Sequence, residues 1–171
     1  LAIPMFLLAG AVMTRGSIAK RLIRIMIALT APIPGGISVA TVLSCAIFAA
    51  ISGSSIVTML AVGTVMFPAL ISNGYSRSFS IGLICASGTL GIIIPPSIPM
   101  ILFGIMTETS ITKLFLAGIV PGLLLAFLLA GYSVLVNRHR DRSNWDKKEI
   151  LASIRSGIFA LALPVLLLGG I

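Results

Sequence analysis

Long apolar stretches alternate with short polar connectors along the 171 residues of this chain. No charged residue occurs between Ile25 and Ser76, and none occurs between Ser78 and Thr107. A helix needs about 20 predominantly apolar residues to cross the hydrocarbon core of a bilayer, and both stretches exceed that length. The pattern predicts an all-α integral membrane protein, a helical bundle with several spans.

The first of these stretches contains an apolar segment, 37–71, that Ser52-Gly53-Ser54-Ser55 interrupts at its centre. As one straight helix this segment would be roughly 52 Å long, whereas the hydrocarbon core is about 30 Å thick. Divided at the interruption, it gives two halves that are short for a full crossing. We therefore predict a re-entrant helical hairpin over 37–71 with its tip at 52–55. Two short tilted spans joined by a tight turn remain the alternative.

The second stretch predicts a discontinuous helix over 79–107 with a break at 88–96. The consecutive prolines Pro95 and Pro96 remove two amide donors, and they disfavour helical backbone at Ile94. Non-helical backbone at membrane depth is tolerated only where it is buried in protein or lines a cavity. Two such interruptions in one chain indicate the discontinuous helices from which secondary transporters build an ion and substrate site.

The remaining segments are shorter or more polar. The segment 15–31 alternates basic and apolar residues, which predicts an amphipathic helix at the membrane interface, or else the charged end of a longer helix. Since apolar sequence begins at the first residue and ends at the last, the chain is predicted to be a fragment. The other predicted segments are the end of a truncated span (1–14), a full span (114–137), a basic loop (138–155) and the start of a further span (156–171).

Composition and charge support a membrane protein. The chain is 58% hydrophobic and 9% charged, whereas a soluble domain is roughly 25% charged. The net charge of +8 lies in the connectors, so a nucleic-acid partner is not predicted. With a hairpin over 37–71, eleven of the twelve Lys and Arg residues fall on one side, in the loops 15–24, 77 and 138–155. The positive-inside rule makes that side cytoplasmic, and two short crossings would give the same arrangement.

The candidate site consists of neutral oxygen atoms. The charge-free stretches hold no Asp, Glu, His, Lys or Arg, which disfavours a proton relay at membrane depth. Hydroxyls and freed carbonyls suit a monovalent cation such as Na+, and the half-helices that begin near Ser54 and Ser97 would favour an anionic substrate group. The candidates are Ser52, Gly53, Ser54 and Ser55 at the hairpin tip and Gly88, Thr89, Gly91, Pro95, Pro96 and Ser97 in the broken helix, with Ser52, Ser54, Thr89 and Gly91 as the Na+ candidates.

Other roles for these residues are weaker or less specific. Small residues also let membrane helices pack closely, and this reading competes with a binding role for the serine cluster. No nucleophile motif, metal spacing or phosphate loop indicates an enzyme, and the single histidine, His139, lies in the basic loop. Cys45 and Cys85 lie in apolar stretches, far apart in sequence, and are predicted to be small buried side chains.

These motifs, taken in order, resemble the large membrane subunit of tripartite ATP-independent periplasmic (TRAP) transporters over essentially the whole chain. The match depends on the order and spacing of many short motifs, including the sequence GIIIPPSIP at 91–99. In this family an acidic residue often stands at the positions of Ala11 and of Val57-Thr58-Met59, and proline often follows the glycine at 91. The other matching motifs are at 3–10, 15–19, 34–36, 51–54, 74–75 and 116–122.

The resemblance implies Na+-coupled uptake of a small organic acid, such as a C4-dicarboxylate or a sialic acid, across the bacterial or archaeal inner membrane. It implies two partners, a small membrane subunit and a periplasmic substrate-binding protein, and no cofactor other than the coupling ion. It also implies an elevator-type transporter with two inverted repeats, of which this chain would be the first. The alternatives are a divalent-anion/Na+ symporter of another elevator family and a structural membrane subunit that does not transport.

Overall fold

The computed structural model describes residues 18–139, 148 and 151–155. The predicted segments 1–14 and 156–171, and most of the basic loop 138–155, lie outside these residues. Within the described part the chain is helical with no strand, which confirms the all-α prediction. The helices are α1 (Ile18–Thr30), α2 (Gly36–Ser52), α3 (Ser55–Ser72), α4 (Arg77–Gly88), α5 (Leu90–Ile93), α6 (Ile98–Met106) and α7 (Ile111–Val136).

Three helical stretches of the described part are long and apolar enough to cross a membrane. They are Ser55–Ser72, Ile111–Val136 and the interrupted stretch Arg77–Met106. The apolar helix Gly36–Ser52 falls short of that length. Large apolar side chains of α6 and α7, including Phe103 and Phe127, are exposed, as expected for helices that face lipid or further protein.

Helix α1 is amphipathic, and its apolar side packs against protein. Ala19, Leu22, Ile23, Ile25 and Met26 are at most 5% exposed and lie against the hairpin formed by α2 and α3. The opposite side carries the exposed residues Lys20, Arg21 and Arg24. Because Pro32 and Pro34 cannot continue a helix, α1 ends at Thr30, whose hydroxyl lies 2.8 Å from the carbonyl oxygen of Gly36 at the start of α2.

The two halves of the predicted hairpin are separated by only two residues. Gly53 takes up the left-handed conformation (φ 60°), which favours glycine, and its N–H donates to the Ala49 carbonyl at 2.9 Å. Ser54 is extended (φ −138°, ψ 130°), so α3 leaves in a new direction. The two helices are similar in length and pack against each other, with Phe48 and Met66 buried in the same apolar cluster.

The broken helix deviates from helical geometry over a shorter stretch than the predicted break at 88–96. Thr89 remains in the right-handed helical region (φ −63°, ψ −20°), so the chain continues through α5 as far as Ile93. The extended part is 94–97, where the Pro95–Pro96 peptide bond is cis. Helix α6 then begins at Ile98, with a proline in its first turn, where the missing N–H costs little.

Helix α7 packs against α2, α5 and α6. Its middle lies beside the break in the broken helix, and its far end reaches the connector between α1 and α2, where Asn137 contacts Gly35. Asn137 is buried and its side-chain amide donates to the Ser133 carbonyl at 2.8 Å. The described helices therefore place the hairpin tip and the break together, about halfway along α7.

Candidate functional site

A buried pair of hydroxyl groups holds the hairpin tip. Ser52 Oγ and Thr58 Oγ1 are 2.7 Å apart, and both side chains are at most 2% exposed. Ser52 Oγ also donates to the Ser54 carbonyl at 3.2 Å, across the turn. Because each hydroxyl has one hydrogen, all of these bonds form when Thr58 donates to Ser52 and Ser52 donates to Ser54. The pair links the end of α2 to the first turn of α3.

The break in the second helix is held by another buried serine. Pro95 and Pro96 have no N–H, so the carbonyls of Gly91 and Ile92 lose their helical donors. The Ser97 hydroxyl, which is fully buried, replaces one of them by donating to the Ile92 carbonyl at 2.8 Å. The Gly91 carbonyl keeps no donor from its own helix.

The tip and the break are joined directly through their backbones. The N–H of Ile98, at the start of α6, donates to the carbonyl of Gly53 at 3.1 Å. Gly91 approaches so closely that a Cβ there would lie 2.7 Å from the Ser54 carbonyl carbon and oxygen and 2.8 Å from the Ser55 nitrogen. Only glycine permits this contact, because a real Cβ does not approach backbone atoms so closely.

Helix α7 supports the break from behind through two glycines. A Cβ at Gly118 would lie 2.7 Å from the carbonyl oxygen of Ile93, and one at Gly122 would lie 2.8 Å from Cγ1 of Ile94. The spacing of four residues places both glycines on one side of α7, facing the interrupted backbone. The site therefore has three layers, namely the hairpin tip, the break and the small-residue side of α7.

The electrostatic character of the site comes from backbone dipoles. The described stretches that form it contain no Asp, Glu, His, Lys or Arg. The helices α3 and α6 both begin here, and neither Ser54 nor Ser97 caps its helix with its side chain. Helix starts of this kind expose N–H groups and partial positive charge, whereas the carbonyls of the tip and the break supply partial negative charge.

The Ser52–Thr58 pair yields a stability prediction. Ser52→Ala alone leaves the Thr58 hydroxyl buried without its partner, so we expect the free energy of unfolding to fall by about 1–3 kcal/mol. Adding Thr58→Val removes both hydroxyls at similar volume, and the double variant should recover much of that loss. Thermal unfolding of the four members of this double-mutant cycle, in the intact protein, measures the coupling directly. Additive losses from the two single variants would contradict the pairing.

The structure brings most of the candidate residues from the sequence into one place. Ser52, Gly53, Ser54 and Ser55 form the tip, and Gly91 and Ser97 lie against it or hold the break, together with Pro95 and Pro96. Gly88 lies six residues before the extended stretch 94–97 and packs against Met59 of α3. Thr89 is exposed, and its hydroxyl donates to the Ala86 carbonyl at 2.7 Å rather than to the tip.

Sequence reasoning missed two parts of this arrangement. Thr58 was not among the candidates, although a hydroxyl one helical turn after Ser54 is a signal that the tip could be tied to α3. The glycines 118 and 122 formed a motif too common in apolar sequence to be specific, and only the structure shows which backbone they face.

Comparison with known proteins gives consistent matches over the chain. Residues 1–171 match the family described as "Tripartite ATP-independent periplasmic transporter, DctM component". The chain is similar to the C4-dicarboxylate TRAP transporter large permease protein DctM of Pseudomonas aeruginosa, with 47% identity over 100% of this chain and 41% of the relative. It is also similar to the protein of that name from Vibrio cholerae, with 42% identity over 100% of this chain and 38% of the relative.

A relative named for a different substrate also matches over the whole of this chain. The ectoine TRAP transporter large permease protein TeaC of Halomonas elongata is 42% identical over 100% of this chain and 41% of its own length. The chain thus spans about two fifths of the length of these relatives. All three are named as permease components of transporters, and none is named as an enzyme.

Proposed function

The chain belongs to the DctM component family of TRAP transporters, and on that premise we propose that the intact protein is a permease that couples Na+ entry to uptake of a small organic acid. Family membership sets aside the alternative of a symporter from another elevator family. A structural subunit that does not transport is disfavoured because the relatives are named as permeases.

The observation that carries this proposal is the direct contact between the hairpin tip and the helix break. The Ile98–Gly53 hydrogen bond and the Gly91–Ser54 contact bring two interrupted helices together without any charged side chain. Buried breaks of this kind in a membrane protein supply the backbone carbonyls and helix starts with which secondary transporters bind ions and substrates.

We assign the cation to the oxygen atoms of this contact. The Gly91 carbonyl has no donor from its own helix because Pro95 has no N–H. Gly91 also packs against Ser54 at the tip, where the Ser54 carbonyl accepts from the Ser52 hydroxyl. Neutral oxygens suit Na+ because they can replace water without the cost of burying an opposite charge. Thr89 would join them only with its exposed hydroxyl turned towards the tip.

We assign the acidic group of the substrate to the starts of α3 and α6. The N–H groups at these helix starts carry partial positive charge. The side chains of Ser54 and Ser97, which precede the two helices, do not hydrogen-bond to them. Relatives of this chain are named for C4-dicarboxylates, ectoine and isethionate. Each of these compounds carries an anionic group, either a carboxylate or a sulfonate. Helix starts that hold this group would therefore fit substrates of different shape.

The same proposal gives the membrane arrangement and the partners. The hairpin is taken as re-entrant, with its tip near the midplane and its base at the cytoplasmic face of the inner membrane, and this chain as one of two inverted repeats of an elevator-type transporter. A small membrane subunit and a periplasmic substrate-binding protein complete the transporter. This arrangement keeps the basic residues 77 and 138 on one side, at the base of the hairpin.

Na+ dependence of stability tests the cation site. The intact permease in detergent should unfold at a higher temperature in NaCl than in KCl of equal ionic strength, because a ligand that binds only the native state stabilises it. At roughly 100 times the Kd the gain is about 2.7 kcal/mol. The Ser52→Ala/Thr58→Val double variant, which retains packing, should lose the Na+-specific part. Equal stability in the two salts would contradict Na+ coupling at this site.

A further inference from the structure

Helices α3 and α4 lie side by side on α2, so together they form a layer with one covered side. They contact each other where Gly88 meets Met59 and where Gly63 meets Ile84. The side of this layer that turns away from solvent is at most 6% exposed. Its residues are Thr58, Val62 and Met66 on α3, with Leu83, Ser87 and Leu90 on the broken helix.

The opposite side of this layer is exposed in the described part of the chain. We define the outer face as Ile56, Leu60 and Thr64 on α3, with Ile81, Cys85 and Ile92 on the broken helix; all six are exposed. On each helix these residues recur at helical spacing, opposite to the buried residues. Since both helices turn their buried sides to the same neighbours, their exposed sides are continuous across the contact between them.

The outer face borders the contact between the hairpin tip and the helix break. Ser55 and Gly91 are brought together at that contact by their backbones. The residue that follows Ser55 is Ile56, which is 65% exposed, and the residue that follows Gly91 is Ile92, which is 40% exposed. Whatever covers the outer face therefore lies beside the proposed ion and substrate site.

Thr64 gives the outer face a polar requirement. Pro68 has no N–H, so the Thr64 carbonyl loses its helical donor. The Thr64 hydroxyl donates to the Ala61 carbonyl at 3.1 Å, so its oxygen can only accept a further bond. Lipid chains offer no donor, and an acceptor left unsatisfied at membrane depth is costly. A partner with an N–H or O–H donor fits this position better than lipid does.

The exposed side of α7 has a different composition. Near its centre are Leu124, Phe127 and Leu128, large apolar side chains that are each more than half exposed. Large apolar side chains suit lipid, whereas small and hydroxyl-bearing residues are typical of contacts between membrane helices. Thr64 and Cys85 place such residues on the outer face. Composition therefore favours protein on the outer face and lipid on this part of α7.

The chain spans about two fifths of the length of the relatives it matches, so a large part of a permease of that length lies outside these residues. Resting on the proposed function, with its two inverted repeats, we propose that apolar helices from that other part of the same polypeptide cover the outer face. They carry a hydrogen-bond donor opposite Thr64, and they close the ion and substrate site beside Ile56 and Ile92.

Tryptophan substitution in the intact permease tests whether protein covers the outer face. Leu60→Trp adds a large ring at a packed contact, so the apparent melting temperature should fall by roughly 3 °C or more, and Ile81→Trp should act alike. Leu128→Trp on α7 is the matched control, because Leu60 is 58% and Leu128 62% exposed. Lipid and detergent accommodate the ring there, so the shift should stay below about 1 °C.

Thr64→Val tests the polar contact at nearly unchanged volume, and it serves if the tryptophan variants do not fold. The substitution removes the hydroxyl acceptor and leaves the donor on the partner unpaired, so the melting temperature should fall. On a face covered by lipid the same substitution would leave it constant or raise it. All these measurements are made in KCl on the permease purified without the small membrane subunit.

Photo-crosslinking identifies the occupant directly. A small aliphatic diazirine amino acid at position 60 should crosslink to peptides of the same polypeptide from outside residues 1–171. The same group at position 128 should crosslink to lipid. Mass spectrometry of the digested protein, prepared from a mixture of isotopically light and heavy copies, separates crosslinks within one copy from crosslinks between two.

Three results would overturn the proposal. Equal tolerance of tryptophan at positions 60, 81 and 128, with lipid crosslinks at 60, would assign the outer face to lipid. Crosslinks to the small subunit in the complete transporter, with none inside the permease, would assign it to that subunit. Crosslinks between light and heavy copies would assign it to a second copy. None of these measurements uses Na+ or uptake, so their failure is distinguishable from failure of the proposed function.

Discussion

Gly91→Ala is expected to separate the hairpin tip from the helix break and to abolish the Na+-specific stabilisation. The added Cβ would lie 2.7 Å from the Ser54 carbonyl atoms and 2.8 Å from the Ser55 nitrogen, all of them backbone atoms that no rotamer change can move. Overpacking of this kind lowers the free energy of unfolding by about 1–3 kcal/mol. The displaced tip would also lose the Ile98–Gly53 hydrogen bond, so uptake should fall about tenfold or more.

Gly82→Ala is the matched control for this substitution. Gly82 lies on α4 of the same broken helix, and a Cβ there meets no atom within 4 Å. Alanine favours an exposed helical position over glycine by roughly 0.5–1 kcal/mol, so stability should stay constant or rise. Thermal unfolding in NaCl and KCl, with initial rates of uptake, measures both variants. A Gly91→Ala protein that behaves like Gly82→Ala would show that the close contact is not needed.

Gly118→Ala is expected to be the most damaging single substitution on α7. Its Cβ would lie 2.7 Å from the Ile93 carbonyl oxygen, which is backbone, and 2.6 Å from the end of the flexible Met100 side chain. At Gly122 the closest atom is a side-chain carbon of Ile94, which can turn away. The added methyl group would displace the break from α7. The free energy of unfolding of the Gly118→Ala variant should therefore fall by about 1–3 kcal/mol.

The expected order of destabilisation on α7 is therefore Gly118→Ala, then Gly122→Ala, with Gly131→Ala harmless. Gly131 lies on the same helix with open space around its Cβ position, and it controls for the general effect of alanine. Apparent melting temperatures of the three variants, measured at one heating rate, test this order. Equal melting temperatures for the Gly118 and Gly131 variants would mean that α7 does not support the break.

The sequence was sufficient to place the turn of the hairpin because its local chemistry is unusual. Gly53 is the one tip residue that can adopt a left-handed conformation easily, and serines around it end one helix and begin the next. Prolines 95 and 96 marked the second break for the same kind of local reason. The predicted extent of that break, 88–96, was longer than the extended stretch 94–97, because Gly88 and Gly91 serve close packing here rather than helix termination.

Contacts between elements distant in sequence could not be predicted in this way. The Ile98–Gly53 bond joins backbone groups, which every residue has, so no residue type marks it. Gly91 could be read as a helix breaker until the position of Ser54 beside it was known. Thr58 is one hydroxyl among several in apolar sequence, and only its 2.7 Å distance from Ser52 distinguishes it.

The packing of α1 against the hairpin makes the two a single mechanical unit. Leu22 lies on Ile51, the residue immediately before the tip, with no exposed area left between α1 and the body of the hairpin at that point. In the proposed transport cycle, a shift of the tip would therefore have to move α1 with it.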